Sequence, residues 1–353
     1  MSSRAAGGPA PTGPGTSAES DAPTDGVPVF VVPVHLTGPG DVRHLRTALA
    51  GLAAQTDPRW RAVLVDDASP WEGAADALGG ARAQDERVHV VRCATNRGPG
   101  PCRNTGVGWA AERGAPFVLF HDADDVSHPM RLEVTRQVLE TRPDVDFVYS
   151  TFLPVDGEGR AVDPALLTPS VREVLDTHVE QPVHGDDAWI EIGTRSGYVS
   201  QTSTVGVRTA LALAQPFPAV RGSEDTHTWY RMSAAGGRFA YVPSIGGLYR
   251  VRVGGGGSSD RERLGASAYY RTLVEMNCDG FDAAFTIARD RGRVREEDRA
   301  GLRGRLLRRI AVTVGAEGHE ELAAELLAQA DLLDGWGPDD DAQVDALDVP
   351  VVG

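Results

Sequence analysis

Short apolar, β-branched runs alternate with amphipathic segments along the first part of the chain. Residues 29–34 and 61–65 form two such runs and predict strands, and residues 42–54 between them carry apolar side chains at helical spacing. The alternation continues with a helix at 74–83, a strand at 88–92, a helix at 101–113 and a strand at 117–120. Because strands that alternate with helices pair side by side in one direction, this region predicts an α/β fold on a parallel sheet.

The pattern is less regular beyond residue 120. A predicted helix at 131–141 and a strand at 145–152 lead to a hairpin turn at 155–159, and no clear period follows up to about residue 199. A helix is then predicted at 224–235, with strands at 239–242 and 247–251, a glycine-rich break at 254–259, and amphipathic helices at 264–276, 296–314 and 320–333. These last three segments predict a small helical appendage.

Charge and cysteine content narrow the function classes. The net charge of -15 excludes nucleic acid as the expected partner, because phosphate backbones are bound by clustered basic side chains. The three cysteines, Cys93, Cys102 and Cys278, show neither a CxxC pair nor a zinc-ligand pattern, which indicates a reducing cytoplasm. The apolar runs are about half the roughly twenty residues that a membrane-spanning helix needs, so only peripheral contact with a membrane stays open.

The two ends of the chain have a different composition. Residues 1–26 are rich in Gly, Ala, Pro, Ser and Thr and lack the apolar stretch of a secretory signal, so they predict a disordered tail. Residues 336–353 predict an acidic tail with no chemistry of its own.

Acidic residues follow the predicted strands where ligands gather in such sheets, beyond the carboxyl ends. The strongest group is the segment from His121 to Asp125, which follows the strand at 117–120. Asp122 and Asp124 lie one residue apart on a turn, so both could face one hard cation that bridges the protein to a diphosphate. The alternative interpretation is a loop or helix cap without a ligand.

Two further segments carry candidate ligand contacts. Asp67 follows the strand at 61–65 and could accept the N3 hydrogen of a uracil, although a helix cap would explain it equally well. Residues 96–104 combine glycines with Arg103 at the start of a helix, where a guanidinium and free backbone N–H groups suit phosphate. By itself this loop is more often a simple Gly-Pro turn.

Residues 222–225 begin a predicted helix with two carboxylates, Glu224 and Asp225. The helix dipole favours acidic residues in a first turn, which is a sufficient structural explanation. A catalytic explanation requires one of them to act as a general base on an acceptor hydroxyl, and Asp225 is the candidate.

Taken in order, several segments resemble the family 2 glycosyltransferases, which have a glycosyltransferase-A fold. They are VFVVPVH, LAAQT, AVLVDDAS, NRGPGPCRNTGVGWA, VLFHDADDVSHPMRLE, SEDTHTWYRM and GGLYRVR, and they span about residues 28–252. The resemblance implies a Rossmann-like nucleotide-diphospho-sugar transferase domain at 27–253, with a nucleotide-binding half at 27–125 and an acceptor half at 126–253. The helical appendage then occupies 259–335.

The same resemblance implies donor-binding roles for the first half. Pro33, His35 and Asp67 would hold the nucleoside, and Arg103 would touch the donor. His35 stands where a tyrosine is common in the family, and a stacked imidazole would cover a pyrimidine. Asp122 and Asp124 would form the acidic pair at a Mn²⁺ or Mg²⁺ ion, with Asp124 as the direct ligand.

Roles for the second half follow in the same way. The resemblance implies Asp225 as the base of an inverting displacement, with Glu224 beside it orienting the site. Many relatives carry a metal-binding histidine after the Tyr-Arg dipeptide, and here Arg252 takes that place and would stabilise the leaving diphosphate. The resemblance therefore implies an enzyme that moves a sugar from a nucleotide donor to an acceptor hydroxyl on a saccharide, a lipid-linked sugar or a natural product.

Three other classes of protein agree less well with the sequence. A nucleotide-sugar-binding protein without turnover would not require the set of Asp67, Asp122, Asp124 and Asp225. A sugar nucleotidyltransferase would need a glycine-rich, basic loop directly after the first strand, and residues 32–43 show no convincing phosphate signature. A dinucleotide dehydrogenase is disfavoured because no GxGxxG follows that strand.

Overall fold

A computed structural model describes residues 26–220, 222–252 and 264–334. Seven strands form the main sheet in the order β3-β2-β1-β4-β7-β5-β8. They are β1 (Val29–Val34), β2 (Arg61–Asp66), β3 (Val88–Arg92), β4 (Phe117–Phe120), β5 (Val145–Tyr149), β7 (Gly206–Arg208) and β8 (Arg238–Tyr241). Two further strands, β6 (Phe152–Val155) and β9 (Gly247–Arg250), pair with each other in parallel.

The helices flank these strands. They are α1 (Pro39–Ala53), α2 (Ala74–Gln84), α3 (Pro99–Glu112), α4 (Arg131–Thr141), α5 (Pro169–Glu180), α6 (Ala188–Glu191), α7 (Thr209–Ala214), α8 (Glu224–Ala234), α9 (Ala266–Asp290), α10 (Arg299–Ala316) and α11 (Glu320–Asp334). Helices α1 and α3 begin earlier than predicted because Pro39 and Pro99 open them, where the missing N–H of proline costs nothing.

The predicted α/β fold is confirmed, with one correction to the sheet. Strands β1 to β4 pair in parallel, as their alternation with helices predicts. The whole sheet is nevertheless mixed, because strand β7, which was not predicted, runs antiparallel to both β4 and β5. The strand is three residues long, too short to show a period in the sequence.

The predicted strand at 145–152 is divided in two. Ser150 leaves the main sheet, and its hydroxyl donates to the carbonyl oxygen of Ile245 at 3.1 Å, while its own carbonyl accepts from Ser200 Oγ at 2.7 Å. The chain continues as β6, which pairs with β9 rather than with the main sheet. This second sheet places the end of β9 beside the carboxyl ends of the main strands, where Val126 pairs with Leu248.

The C-terminal helices pack against the same core as the sheet. Apolar side chains of α9, α10 and α11 belong to one buried cluster with those of β4, β5 and α8. Helix α9 approaches α8 closely at Gly280, where an added Cβ would lie 2.7 Å from the Cα of His227. Close backbone approach of this kind requires glycine.

Parts of the predicted domain organisation lie outside the described residues. These are residues 1–25 of the N-terminal tail, the break at 254–259 and the acidic tail at 336–353. The boundary near residue 253 stays a prediction. None of the helices in the described ranges is long and apolar enough to cross a membrane.

Candidate active site

A cavity of about 1100 Å³ opens at the carboxyl ends of β1, β2 and β4. One wall comes from loops that follow these strands, and the opposite wall comes from a continuous segment, residues 156–171, together with the end of β9. The predicted donor and metal residues meet here: Pro33, His35, Asp67, Arg103, Asp122, Asp124 and Arg252 all line the cavity. The structure therefore brings together side chains that are far apart in sequence.

Asp67 holds the loop that covers the first wall. Its carboxylate is buried and accepts hydrogen bonds from the backbone N–H of Arg97 at 2.7 Å and of Gly98 at 2.8 Å. The preceding Asp66 is engaged differently, because it accepts from the backbone and hydroxyl of Ser69. Gly98 adopts a φ of 92°, which favours glycine. The second aspartate of the pair is thus the one that faces the cavity loop.

His35 lies at the cavity surface beside Asp67. Its Nδ1 is 3.1 Å from the backbone oxygen of Asp67, and the side-chain nitrogen of Asn96 lies 3.1 Å from the same ring atom. The imidazole is exposed, and its contact with the Asp67 backbone oxygen holds the ring in place. Sequence reasoning missed Asn96, although the residue lies within the motif NRGPG that was singled out.

Ser203 and Asp125 shape the turn that carries Asp122 and Asp124. The Ser203 hydroxyl accepts from the backbone N–H of Asp122 at 2.9 Å and donates to Asp125 Oδ2 at 2.5 Å. The other Asp125 oxygen accepts from the backbone N–H of Arg250 at 2.8 Å. Asp125 is fully buried, so this carboxylate braces the turn. No sequence pattern pointed to Ser203, which lies just beyond the irregular region, in a short turn at Thr202–Thr204.

Asp122 and Asp124 present oxygen atoms at the cavity, and desolvation together with the Asp122 charge raises the pKa of Asp124 to about 6. Such mutual repulsion between carboxylates is relieved by a divalent cation. The oxygen donor set fits a hard ion such as Mn²⁺ or Mg²⁺. Within the described ranges, the one group of three His, Cys, Asp or Glu side chains close enough to share an ion lies elsewhere, at Asp67, Cys93 and Cys102.

Arg103 joins the metal turn to the start of α8. Its Nη2 donates to Asp122 Oδ1 and its Nη1 donates to Glu224 Oε1, each at 2.8 Å. The guanidinium is buried, which by itself would lower its pKa, but the charges of Asp122 and Glu224 outweigh burial and raise the pKa. Burial raises the pKa of Glu224 to about 7 against the lowering effect of Arg103. Glu224 therefore lies behind Arg103 and orients it.

Asp225 follows Glu224 in the first turn of α8. Burial raises its pKa, while the charge of Arg103 lowers it. The predicted base Asp225 is close enough to Arg103 and Asp122 for their charges to affect its pKa. It is not among the described residues that line the cavity. A raised carboxyl pKa is the adjustment that a general base near neutral pH requires.

Arg250 fastens the second wall to the metal turn. Its Nε donates to the carbonyl oxygen of Asp124 at 2.9 Å, and its Nη1 donates to the carbonyl oxygens of Asp156 at 2.6 Å and Gly157 at 2.8 Å. Sequence reasoning assigned this residue no role, although it belongs to the quoted Tyr-Arg dipeptide. Arg252, two residues further on, is exposed and lines the cavity.

Comparison with known proteins identifies the class of this domain. Residues 30–198 match the family model of Glycosyl transferase family 2. The chain also superposes on S. aureus TarS 1-349 in complex with UDP, with a TM-score of 0.50 at 17% identity over 88% of this chain and 90% of that chain. At that identity the likeness concerns the fold, and it confirms the predicted glycosyltransferase-A architecture. Residues 30–198, just under half of the chain, are therefore similar to the family 2 glycosyltransferases.

Curated relatives support the same family. Succinoglycan biosynthesis protein ExoW of Rhizobium meliloti is 37% identical over 121 residues, which cover 34% of this chain and 36% of that protein. Succinoglycan biosynthesis protein ExoO of the same organism is 37% identical over 235 residues, which cover 64% of this chain and 61% of that protein. The chain thus matches about a third of the first relative and three fifths of the second.

Proposed function

We propose that this chain is a hexosyltransferase-type enzyme that moves a sugar from a nucleotide-diphosphate donor to an acceptor hydroxyl with inversion. The observation that carries the proposal is the bridge through Arg103, which links Asp122 at the cavity to Glu224 beside the candidate base. A domain of this family, an acidic turn and a buried guanidinium beside one cavity are the parts that such a transfer needs.

The donor lies along the first wall in this proposal. Pro33 and His35 would contact the nucleoside, and Asp67 would read the base with the carboxylate lone pairs that the Arg97 and Gly98 N–H groups leave available. We favour a UDP-sugar because uracil offers an N3 hydrogen to such an acceptor. TarS, which shares the fold, has been crystallised with UDP and with UDP-GlcNAc.

Asp122 and Asp124 would hold Mn²⁺ or Mg²⁺, which supplies positive charge to the diphosphate when bound. Arg103 holds the Asp122 carboxylate in a fixed orientation through its charge-assisted hydrogen bond. Arg252 adds a cation at the opposite side of the cavity, where negative charge develops as the leaving diphosphate departs. Both arginines therefore favour the departure of an anionic leaving group.

Asp225 is proposed to take the proton from the acceptor hydroxyl as that oxygen attacks the anomeric carbon. The attack from the face opposite the diphosphate inverts the anomeric configuration. The acceptor would enter along the second wall, residues 156–171, where Leu166 and Val162 leave apolar surface beside Arg160 and Asp163. We place the reaction in the cytoplasm, with peripheral contact to a membrane if the acceptor is lipid-linked.

A donor panel tests the proposal. Purified protein is incubated with UDP-, GDP- and dTDP-sugars and Mn²⁺, and release of the nucleoside diphosphate is measured. A transferase releases it slowly even without an acceptor, and we expect UDP-sugars to give the fastest release. A nucleotidyltransferase would instead exchange pyrophosphate into a nucleoside triphosphate, and a binding protein would do neither, so either result would refute the proposal.

A further inference from the structure

A second group of ligand atoms lies beside the loop at residues 96–98, apart from the acidic turn at residues 122–125. A carboxylate oxygen of Asp67 and the sulfur atoms of Cys93 and Cys102 all lie within 4.8 Å of one another. Cys93 follows β3, and its backbone N–H donates to the carbonyl oxygen of Asp66 at 2.8 Å. Cys102 lies in the first turn of α3 and is fully buried. Three separate elements therefore converge on one point.

We propose that Asp67, Cys93 and Cys102 form a binding site for a soft divalent metal ion, with Zn²⁺ as the best fit. Thiolate ligands select Zn²⁺ over Mg²⁺ and Mn²⁺, which prefer oxygen. In a tetrahedral zinc site with bonds of about 2.3 Å to sulfur and 2.0–2.2 Å to oxygen, neighbouring ligand atoms lie roughly 3.5–3.8 Å apart. A small contraction of the group brings its atoms to that spacing. Three protein ligands leave a fourth position for water.

The surroundings of the group suit a bound ion. Two thiolates and a carboxylate around Zn²⁺ carry a net charge of minus one, and the Arg97 Nη2, which lies 3.5 Å from Cys93 Sγ, offsets it. The Asp67 carboxylate is oriented by the backbone N–H groups of Arg97 and Gly98, as outer partners usually orient metal ligands.

Cobalt spectroscopy tests this site without reference to catalysis. Reduced full-length protein is titrated with Co²⁺ in excess Mg²⁺, which occupies oxygen ligands and gives no thiolate signal. We expect a thiolate-to-cobalt charge-transfer band that saturates at one equivalent and is displaced by Zn²⁺. Loss of glycosyl transfer would leave this band unchanged, so failure of the proposed function and failure of this site are distinguishable.

Single variants assign the ligands. Cys93→Ala, at a half-buried position, should remove about half of the band intensity, and Cys102→Ala should do the same if it folds. Asp67→Asn should keep the band but weaken Co²⁺ binding on the order of tenfold or more. Cys278→Ala, which removes the remaining cysteine far away on α9, should change nothing.

Three results would overturn the site. These are no charge-transfer band in the reduced wild-type protein, an undiminished band in Cys93→Ala, or unchanged Co²⁺ affinity in Asp67→Asn. Circular dichroism of each variant confirms that it is folded, and because Cys93 is only partly buried the Cys93→Ala result decides the matter even if Cys102→Ala is unstable.

Discussion

Asp122 and Glu224, which are far apart in the sequence, share the guanidinium of Arg103, which donates to each at 2.8 Å. Asp122 follows β4, whereas Glu224 begins α8. A planar guanidinium can satisfy two carboxylates at fixed angles, which a flexible ammonium cannot do. The relationship therefore sets where the acidic turn stands relative to the candidate base.

Replacing the Arg103 guanidinium with the ammonium group of a lysine tests the importance of its two hydrogen bonds. We expect Arg103→Lys to lower kcat/KM by on the order of tenfold or more, because a single ammonium nitrogen cannot reproduce the fixed geometry in which two guanidinium nitrogens each bind one carboxylate. Steady-state kinetics over donor concentrations from below KM to saturation measures the change in kcat/KM. Arg113→Lys is the control, since Arg113 caps the end of the same helix and its side chain contacts Trp109 and Glu112 of that helix. Equal kcat/KM in wild type and Arg103→Lys would contradict the assignment.

Removing the exposed carboxylate of the turn should remove the response to metal. Asp124→Ala is expected to abolish the stimulation of turnover by Mn²⁺, because only Asp122 then remains to hold the ion. Turnover measured against Mn²⁺ concentration shows this directly. Asp163→Ala, which changes a carboxylate on the opposite wall of the same cavity, should respond as the wild type does. A normal Mn²⁺ response in Asp124→Ala would exclude the residue as a ligand.

The candidate base should affect chemistry and leave donor binding intact. We expect Asp225→Asn to lower kcat by roughly 10²–10⁴-fold with an unchanged Kd for UDP. Because burial raises the pKa of Asp225, the wild-type kcat should fall as the pH drops through a value above the usual carboxyl range. Steady-state kinetics and calorimetry with UDP measure kcat and Kd, and a pH profile of the wild-type kcat measures its pH dependence. An unaltered kcat would remove Asp225 from this role.

Asp57 should make the protein sensitive to acid. Burial alone would raise its pKa, but hydrogen bonds from Arg59 and Arg136 outweigh burial and lower the pKa from 3.8 to about 2. The stability is therefore present above pH 3.8 and lost as the pH falls through about 2. Since Arg59 is largely exposed, screening limits the contribution to about 1–2 kcal/mol.

Denaturant unfolding at a series of pH values tests this linkage. Asp57→Asn should lower the free energy of unfolding at pH 6 and flatten its decline between pH 5 and pH 2 (about 1–2 kcal/mol). Asp76→Asn, at an exposed position of α2, is the control. The same decline in Asp57→Asn as in the wild type would show that other carboxylates are responsible.

The contact between α8 and α9 should not tolerate a methyl group. In Gly280→Ala the new Cβ would meet the His227 backbone at 2.7 Å, so we expect a loss of about 1–3 kcal/mol of stability despite the better helix propensity of alanine. Gly301→Ala on α10 has nothing within 4 Å and should be neutral or stabilising by up to about 1 kcal/mol. Thermal unfolding of both variants compares them, and a Gly280→Ala protein more stable than wild type would be inconsistent with this packing.

Local patterns predicted the first four strands because each is a mainly apolar run of four to six residues and the runs alternate with clear helices. They missed β7, in which Val207 is the only apolar side chain besides a glycine and an arginine. The site shows the same contrast. Asp67, Asp122 and Asp124 follow predicted strands and could be found, whereas Ser203 and Arg250 act through tertiary contacts that no spacing encodes.

The position of Asp225 could be predicted only in part. Its helix and its neighbour Glu224 were expected, but the ion pair between Glu224 and the buried Arg103 depends on how α3 and α8 meet. Such a meeting is fixed by packing around residues such as Gly100, where an added Cβ would lie 2.7 Å from the Pro218 carbonyl oxygen. A single sequence carries little information about approaches of this kind.

One wall of the cavity is an uninterrupted stretch, residues 156–171, which leaves β6 and enters α5. Asp67, Asp122 and the helix that bears Asp225 all lie outside it. Hybrid enzymes could therefore exchange this stretch between relatives while the catalytic and nucleotide-facing parts remain those of the parent. Engineering of new linkages should begin with that graft, keeping Asp156 and Gly157 so that Arg250 still anchors its first turn.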